Sequence, residues 1–285
     1  MKIIIGKTAG FCYGVRRAVN ETKKELENSS EICCLGEIVH NKSVVKDLEE
    51  RGITFVNDID ECKGKVIIRA HGESKETYKK LKEKGIEIKD LTCPKVLKTH
   101  ELAEEYIKHN YFIVLIGVQG HPESIGTLSF CGENSYLLQD KSNIKEMVDK
   151  INKSKLKDIL ILAQTTYNSK KFDDIVEEIK KELNGKNIKV KKTICEATKI
   201  RQNETTKIAK KVDAMIIVGD KKSSNTNKLY DISKEYCKRT FFVQTAEELN
   251  IEELKNAKEI GIMAGASTPE EDIAKIIEKV KENKK

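Results

Sequence analysis

The sequence predicts an α/β protein with largely parallel sheets, assembled from three similar α/β units. Short apolar runs rich in β-branched residues alternate with amphipathic helical stretches along the whole chain, the pattern of sheets covered by helices. Three separate segments repeat one arrangement of strand, short turn, cysteine and helix. At 285 residues the chain also exceeds the roughly 100 to 200 residues of one domain, which suggests two or three units.

Strands are expected near Ile3 to Ile5, Val66 to Arg69, Phe112 to Ile116, Ile159 to Leu162, Ala214 to Val218 and Glu259 to Met263. Lys- and Glu-rich stretches of helical period lie between them, as in Val15, Ala18, Val19, Thr22 and Leu26. With three prolines and no Gly/Ser tract, nothing marks a flexible linker, so closely joined domains are expected. Their bounds are 13–94, starting just after Cys12, then 95–193 and 194–285, with the N-terminal strand 1–12 packing at the centre.

The longest apolar run, Tyr111 to Val118, is far short of the ~20 residues that cross a bilayer, and MKIIIGKTAG reaches glycine before a signal-like stretch develops. A cytoplasmic protein without membrane contact is expected. There, eight cysteines argue against a disulfide framework and for metal binding or catalysis. The net charge of +7 comes mostly from lysines spread along helices. That suits a solvated surface or a polyphosphate ligand. No aromatic-basic interleaving points to nucleic acid.

The repeat becomes measurable with the cysteines as anchors. The three segments are IIIGKTAGFCYGVRRAVNETKKELE, IEIKDLTCPKVLKTHELAEEYIKH and IKVKKTICEATKIRQNETTKIAKKV. From Cys12 to His40, Cys93 to His121 and Cys195 to Ser223 the separation is 28 residues each time. Further junctions follow at His71, Thr165 and Ser267, offset by 59, 72 and 72 residues. In open α/β sheets such junctions, at the carboxyl ends of strands, are where ligand groups collect.

Cys12, Cys93 and Cys195 each open a helix, where the thiolate form that binds metal is favoured. Thiolates select iron-sulfur clusters or zinc. Three ligands without a fourth would leave one metal position open to substrate. Cys33 and Cys34, on an apolar strand, read as core residues, and Cys62, Cys131 and Cys237 receive no role. His40, His71 and His121 sit at strand ends, whereas His100 and His109 lie on a helix and are expected at the surface. With Ser223, Ser224, Asn225, Ser267 and helix-start amides, the three loop histidines would cradle a phosphate. Ser267, before Thr268-Pro269-Glu270, could equally be a helix cap. Glu123 either satisfies a helix dipole or serves as an acid. Thr165 either caps a helix or orients a substrate hydroxyl.

In order, GFCYGVRRAV, EIVHN, AHG, TCPKV, GHPES, QTT, CEATKIRQ, KKSSNTN and AGAS resemble the 4-hydroxy-3-methylbut-2-enyl diphosphate reductase family over essentially the whole chain. The resemblance implies three α/β domains in a pseudo-threefold arrangement around a central 4Fe-4S cluster held by Cys12, Cys93 and Cys195. It implies reductive removal of an allylic hydroxyl to give isopentenyl and dimethylallyl diphosphates, with electrons arriving one at a time from ferredoxin or flavodoxin. It implies diphosphate binding by His40, His71, Ser223, Asn225 and Ser267, with Ser224 and His121 adjoining. Proton delivery falls to Glu123, aided by Thr165. The chain departs from the family's common residues at Arg69, Lys95, Ala163 and Glu196. The competing reading is a non-enzymatic iron-sulfur electron carrier or redox sensor, which needs the cysteines but not the polar loops. A zinc module lacks paired C-x2-C spacing.

Overall fold

Strands and helices alternate along the chain in the computed structural model, which describes residues 1–29 and 31–282. In chain order they are β1 (Lys2–Ile5), α1 (Tyr13–Asn28), β2 (Ile32–Leu35), α2 (Lys42–Glu50), β3 (Thr54–Val56), β4 (Lys65–Ile68), α3 (Lys75–Glu83) and β5 (Ile88–Asp90). Then come α4 (Pro94–Lys108), β6 (Phe112–Ile116), α5 (Pro122–Ser129), β7 (Ser135–Leu138), α6 (Ile144–Ser154), β8 (Asp158–Ala163), α7 (Ser169–Glu182) and β9 (Asn187–Val190). The last are α8 (Glu196–Ala209), β10 (Ala214–Val218), α9 (Ser224–Tyr236), β11 (Thr240–Val243), β12 (Glu259–Ala264) and α10 (Glu270–Glu282). No described helix is long and apolar enough to cross a membrane.

The strands form three four-stranded sheets, ordered β3-β2-β4-β5, β7-β6-β8-β9 and β11-β10-β12-β1. All their pairings are parallel. The expected α/β class and threefold repetition of one parallel unit are therefore present. In each sheet the first strand after a cysteine-bearing helix is flanked by the second and third, and the fourth runs directly to a cysteine. The C-terminal repeat ends in α10 without a fourth strand of its own. The N-terminal segment supplies it: β1 pairs with β12 from Lys2↔Glu259 to Ile5↔Ile262.

By packing, the chain divides into two compact units. One comprises Met1–Val19, Val39–Glu50 and Glu196–Lys285, and the other Asn20–Ile38 and Arg51–Cys195. The first holds the sheet ending in β1, and the second holds the other two sheets. Strands β6 and β10 are buried at every residue. That is why they read as unbroken apolar runs: a parallel sheet covered on both faces has no polar side. On one face of the second unit's larger sheet, Phe112, Val114, Ile161 and Phe172 interlock, and on the other Ile113, Leu115, Leu160 and Tyr106 do. Ile216, Val218, Ile262 and Ile276 form the corresponding layer in the first unit.

One set of backbone bonds recurs three times. Just after the first strand of each sheet, Gly36, Gly117 and Gly219 donate their N–H to Val56, Leu138 and Val243 at the end of the second. After the third strand, the carbonyls of Ala70, Thr165 and Ala266 accept from the N–H of Cys93, Cys195 and Cys12. Each lies two residues beyond its strand.

The cysteines differ from expectation at one place. Cys33 on β2 and Cys62, read as a core residue and one without a role, form a disulfide, their Cα atoms 5.9 Å apart. Their pairing follows from β4 running parallel beside β2 from Ile32↔Lys65, which brings the segment entering β4 to the start of β2. It is one local bond rather than a framework, and Cys12, Cys34, Cys93, Cys131, Cys195 and Cys237 take no part in a disulfide.

Gly265 shows how tightly the first unit's polar end is built, because a Cβ there would lie 2.0 Å from Thr226 Oγ1 on α9. Thr226 is fully buried and β-branched, so it has little room to turn. Gly265→Ala is expected to cost about 1–3 kcal/mol. A lowered urea midpoint of the purified chain checks this.

Candidate active site

In the second unit the site is built on the start of α5. His121 is its N-cap, with Nδ1 accepting the Glu123 N–H at 3.1 Å, and Pro122 occupies the first helical position, where no N–H is needed. Gly126 allows α5 close to the backbone of Glu73, since a Cβ there would be 3.3 Å from the Glu73 carbonyl oxygen. Glu123 is thereby enclosed, at 3 % exposure. Its carboxylate accepts the Thr165 N–H at 2.5 Å and the Thr165 hydroxyl at 2.9 Å. Burial pushes its pKa up to about 7, against the pull of those two hydrogen bonds. Half protonated near neutrality, it is suited to general acid work. A residue satisfying only a helix dipole would sit in water.

Thr165 is shared. Its side chain and amide face Glu123, and its carbonyl accepts the Cys195 N–H at 3.0 Å. The acid and a cysteine are thus fixed to one residue. The repeat register, however, shifts by one here. Counted from the strand ends, Thr166 matches His71 and Ser267, because the stretch from Cys93 to the end of β8 is one residue longer than that from Cys195 to the end of β12. Thr165 earns its place by contact with Glu123 rather than by repeat position.

His71 lies in the tight turn closed by Gly72 N–H to the Arg69 carbonyl, with Gly72 at φ 78°. Its ring meets that of His121 edge to face, 5.4 Å between centroids. Arg69 and Glu73 bracket this turn and form an ion pair at 2.6 Å. His100, expected at the surface, is buried: it stacks on Phe130 at 4.2 Å and is 4 % exposed. Burial lowers its pKa to about 4, so the ring is neutral. Helical period alone placed it wrongly, because α4 is covered on the side where Gly72 approaches His100. His109, at the end of α4, is exposed as expected. Of the four departures, Lys95 and Glu196 are exposed and Ala163 is fully buried in β8.

In the first unit Cys12 and His40 are organised by one loop. Ala266 accepts the Cys12 N–H at 3.1 Å, and the next residue, Ser267, donates its hydroxyl to the His40 carbonyl at 2.9 Å. Ser267 therefore makes a loop-to-loop bond here, and no helix-capping bond involves it. Asn41, following His40, caps α2 by accepting the Val44 N–H. At the start of α9, Ser223 accepts the Thr226 N–H as N-cap, and Ser224 and Asn225 are buried. Asn225 is 4 % exposed, and neither end of its side-chain amide has a partner among the described residues. Leaving a buried amide unsatisfied costs free energy that a protein rarely spends without a ligand to recover it.

The first unit thus carries Cys12, His40, Ser223, Ser224, Asn225 and Ser267, and the second carries His71, Cys93, His121, Glu123, Thr165 and Cys195. Sequence reasoning missed Arg201 and Glu204 on α8, which hold the loop before Cys12. The only signal was their spacing of three on a helix within CEATKIRQ and the residues after it.

Parallel sheets with thiols, imidazoles and a buried acid at their carboxyl ends define an α/β protein with the groups of an enzyme site, and comparison with known proteins gives the class as oxidoreductase. The LytB protein family model matches residues 3–281. The chain belongs to the LytB family. The 4-hydroxy-3-methylbut-2-enyl diphosphate reductase of Caldanaerobacter subterraneus subsp. tengcongensis is 40% identical over 287 residues, covering 99% of this chain and 97% of that protein. That of Aquifex aeolicus is 40% identical over 286 residues, covering 98% and 96%. The solved E-1-hydroxy-2-methyl-but-2-enyl-4-diphosphate reductase from Plasmodium falciparum superposes with a TM-score of 0.89 at 31% identity, covering 97% of this chain and 87% of that one. A solved (E)-4-hydroxy-3-methyl-but-2-enyl diphosphate reductase, the terminal enzyme of the non-mevalonate pathway, gives 0.70 at 39% identity, covering 99% and 100%.

Carboxyl-carbon NMR of the full chain should show Glu123 titrating near pH 7. Thr165→Val removes one of the two bonds that favour the carboxylate, so the titration is expected to move higher. A shift downward, or titration in the ordinary carboxylate range in the parent, contradicts the assigned environment.

Proposed function

We propose that the chain reductively removes the allylic hydroxyl of 4-hydroxy-3-methylbut-2-enyl diphosphate, giving isopentenyl and dimethylallyl diphosphates. The observation that carries this reading is Glu123: a buried carboxyl near neutrality, locked to Thr165, with Thr165 in turn bonded to Cys195. The names of the relatives supply the substrate. Two electrons and two protons enter, a C–O bond is replaced by C–H, and water leaves.

Hydroxide is a poor leaving group, so a proton must reach it as the bond breaks. In this reading Glu123 gives that proton from its carboxyl oxygen, and Thr165 holds the carboxyl in one orientation and takes up the substrate hydroxyl. The diphosphate is received by His40, His71, His121, Ser223, Ser224, Asn225 and Ser267. The unsatisfied amide of Asn225 and the first N–H groups of α9 suit an anion at that helix start. Ser267, now bonded to the His40 carbonyl, would turn its hydroxyl to a phosphate oxygen.

The donor set fits a 4Fe-4S cluster, since Cys12, Cys93 and Cys195 are thiols outside the disulfide, partly exposed, each directly before a helix and each hung from the equivalent carbonyl. When bound, such a cluster supplies the electrons and a Lewis-acidic iron with an open position. A ferredoxin or flavodoxin is the proposed electron donor. Three repeats meeting at that cluster, with bounds 13–94, 95–193 and 194–285 and the strand 1–12 among them, complete the reading. The last three residues of the third repeat lie outside the described residues. An electron carrier or redox sensor would use the same thiols, but gives no reason for Glu123 to be buried or for Asn225 to be unsatisfied.

Anaerobic turnover of the hydroxylated allylic diphosphate with a one-electron dye tests the proposal. Glu123→Gln is expected to keep the visible iron-sulfur absorption and lose on the order of a hundredfold or more in kcat. Since the active form is protonated, activity should fall as pH rises through about 7. Asn225→Ala should raise KM about tenfold. No turnover by the parent chain with its absorption intact would leave the carrier reading in its place.

A further inference from the structure

Among the three candidate ligands, Cys12 has the longest tether. Six residues separate it from the end of β1, against two between β5 and Cys93 and four between β9 and Cys195. Its tether, Gly6-Lys7-Thr8-Ala9-Gly10-Phe11, contains two glycines, one at φ 98°. Such a segment has much conformational freedom to lose. Among the described residues its backbone bonds are Gly6 N–H to the Ile262 carbonyl at 2.9 Å, where it leaves the sheet, and Ala9 N–H to the Gly6 carbonyl at 3.1 Å.

Two side chains of α8 make up the difference. Arg201, 4 % exposed, donates Nε–H to the Thr8 carbonyl at 2.8 Å and an Nη2–H to the Gly10 carbonyl at 2.7 Å. One turn along the same helix, Glu204 accepts the Lys7 N–H at 2.8 Å, the Thr8 N–H at 2.9 Å and the Thr8 hydroxyl at 2.5 Å. A cation holds the carbonyls of the loop and an anion holds its amides. Both bond types are charge-assisted and stronger than neutral ones. Three residues apart on a helix, the two side chains lie on one face. A loop with almost no bonds of its own is thereby given one conformation.

We propose that Arg201 and Glu204 are positioning residues that fix the Cys12 thiol for cluster binding, acting through the Lys7–Gly10 backbone without touching the cluster or substrate. The proposal rests on the cluster reading above. It adds that α8, which begins at the residue after Cys195, also sets the geometry of Cys12. All three cysteines share the bond from their amide to a loop carbonyl, so loss of the clamp loosens Cys12 on its six-residue tether and leaves Cys93 and Cys195, on tethers of two and four residues, as they were.

The test compares the three thiols within one molecule. The full-length chain, freed of iron and reduced, is alkylated with iodoacetamide, and the rate at each cysteine is read by peptide mass spectrometry. Arg201→Met is expected to speed Cys12 alkylation about tenfold while Cys93 and Cys195 stay within about twofold, and Arg201→Lys, which can reach only one carbonyl, should fall between. In reconstituted protein, the same variant should lose its visible absorption to air about tenfold faster and show an altered electron paramagnetic resonance signal. Should Arg201→Met not accumulate as folded protein, Glu204→Gln and Thr8→Val decide, each expected to raise the Cys12 rate about threefold. Unchanged Cys12 reactivity in folded variants overturns the proposal, and so does an equal acceleration of all three thiols. If the parent chain binds no cluster, the cluster reading fails while the alkylation rates still report on the clamp.

Discussion

The hydrogen bond from the amide of each candidate ligand cysteine to the carbonyl two residues beyond the third strand of its sheet is the constraint on which the candidate site depends. It occurs at Ala266 for Cys12, Ala70 for Cys93 and Thr165 for Cys195. In each case it ties the start of one helix to the loop that carries a polar residue of the site, so the thiol and that loop cannot move independently. A parallel sheet makes this possible, because all its strands deliver their carboxyl ends to the same edge. It also explains why β1 joins the sheet of the C-terminal repeat. Without a fourth strand beside β12, Cys12 would have no neighbouring loop to hang from.

On that frame the three repeats diverge. The loop after the third strand offers His71 in one, Thr165 beside a buried acid in the second and Ser267 in the third. The helix after the first strand is capped by Asn41, His121 and Ser223. Only α5 buries a carboxylate, and only there does the next loop present both an amide and a hydroxyl to receive it. In the proposed function, the asymmetry of Glu123 is what separates a site for chemistry from a holder for a metal. Asn225 has the opposite character, being buried with nothing to bond. One residue is satisfied within the protein, and the other, in the proposed function, is satisfied by the substrate.

Much of this was legible in the residues themselves. The apolar runs at Phe112–Ile116 and Ala214–Val218 marked central strands because parallel sheets bury both faces, and equal spacings of 28 residues marked His40, His121 and Ser223 as equivalents. Three readings failed for physical reasons. His100 has the spacing of a surface position, but the tight turn at Gly72 packs over it. Thr165 and Ser267 share a count of 72 from their cysteines, yet a single extra residue before the end of β8 moves the register. Cys33 and Cys62 are 29 apart with nothing local to link them, and meet because β4 runs parallel beside β2 and the segment entering β4 lies at the start of β2.

By itself the sequence determined the class of fold, the three cysteines and the polar residues grouped with them, since those follow from local periodicity and from repetition along the chain. The tertiary structure alone decided the state and attachment of those residues. That Glu123 holds its proton near neutrality is set by burial, which outweighs the opposing hydrogen bonds from Thr165, 42 residues away. That the loop before Cys12 has one conformation is set by Arg201 and Glu204, 191 and 196 residues from the loop residues they hold. Desolvation and long-range hydrogen bonds are properties of what surrounds a residue, and no pattern of neighbours in sequence encodes them.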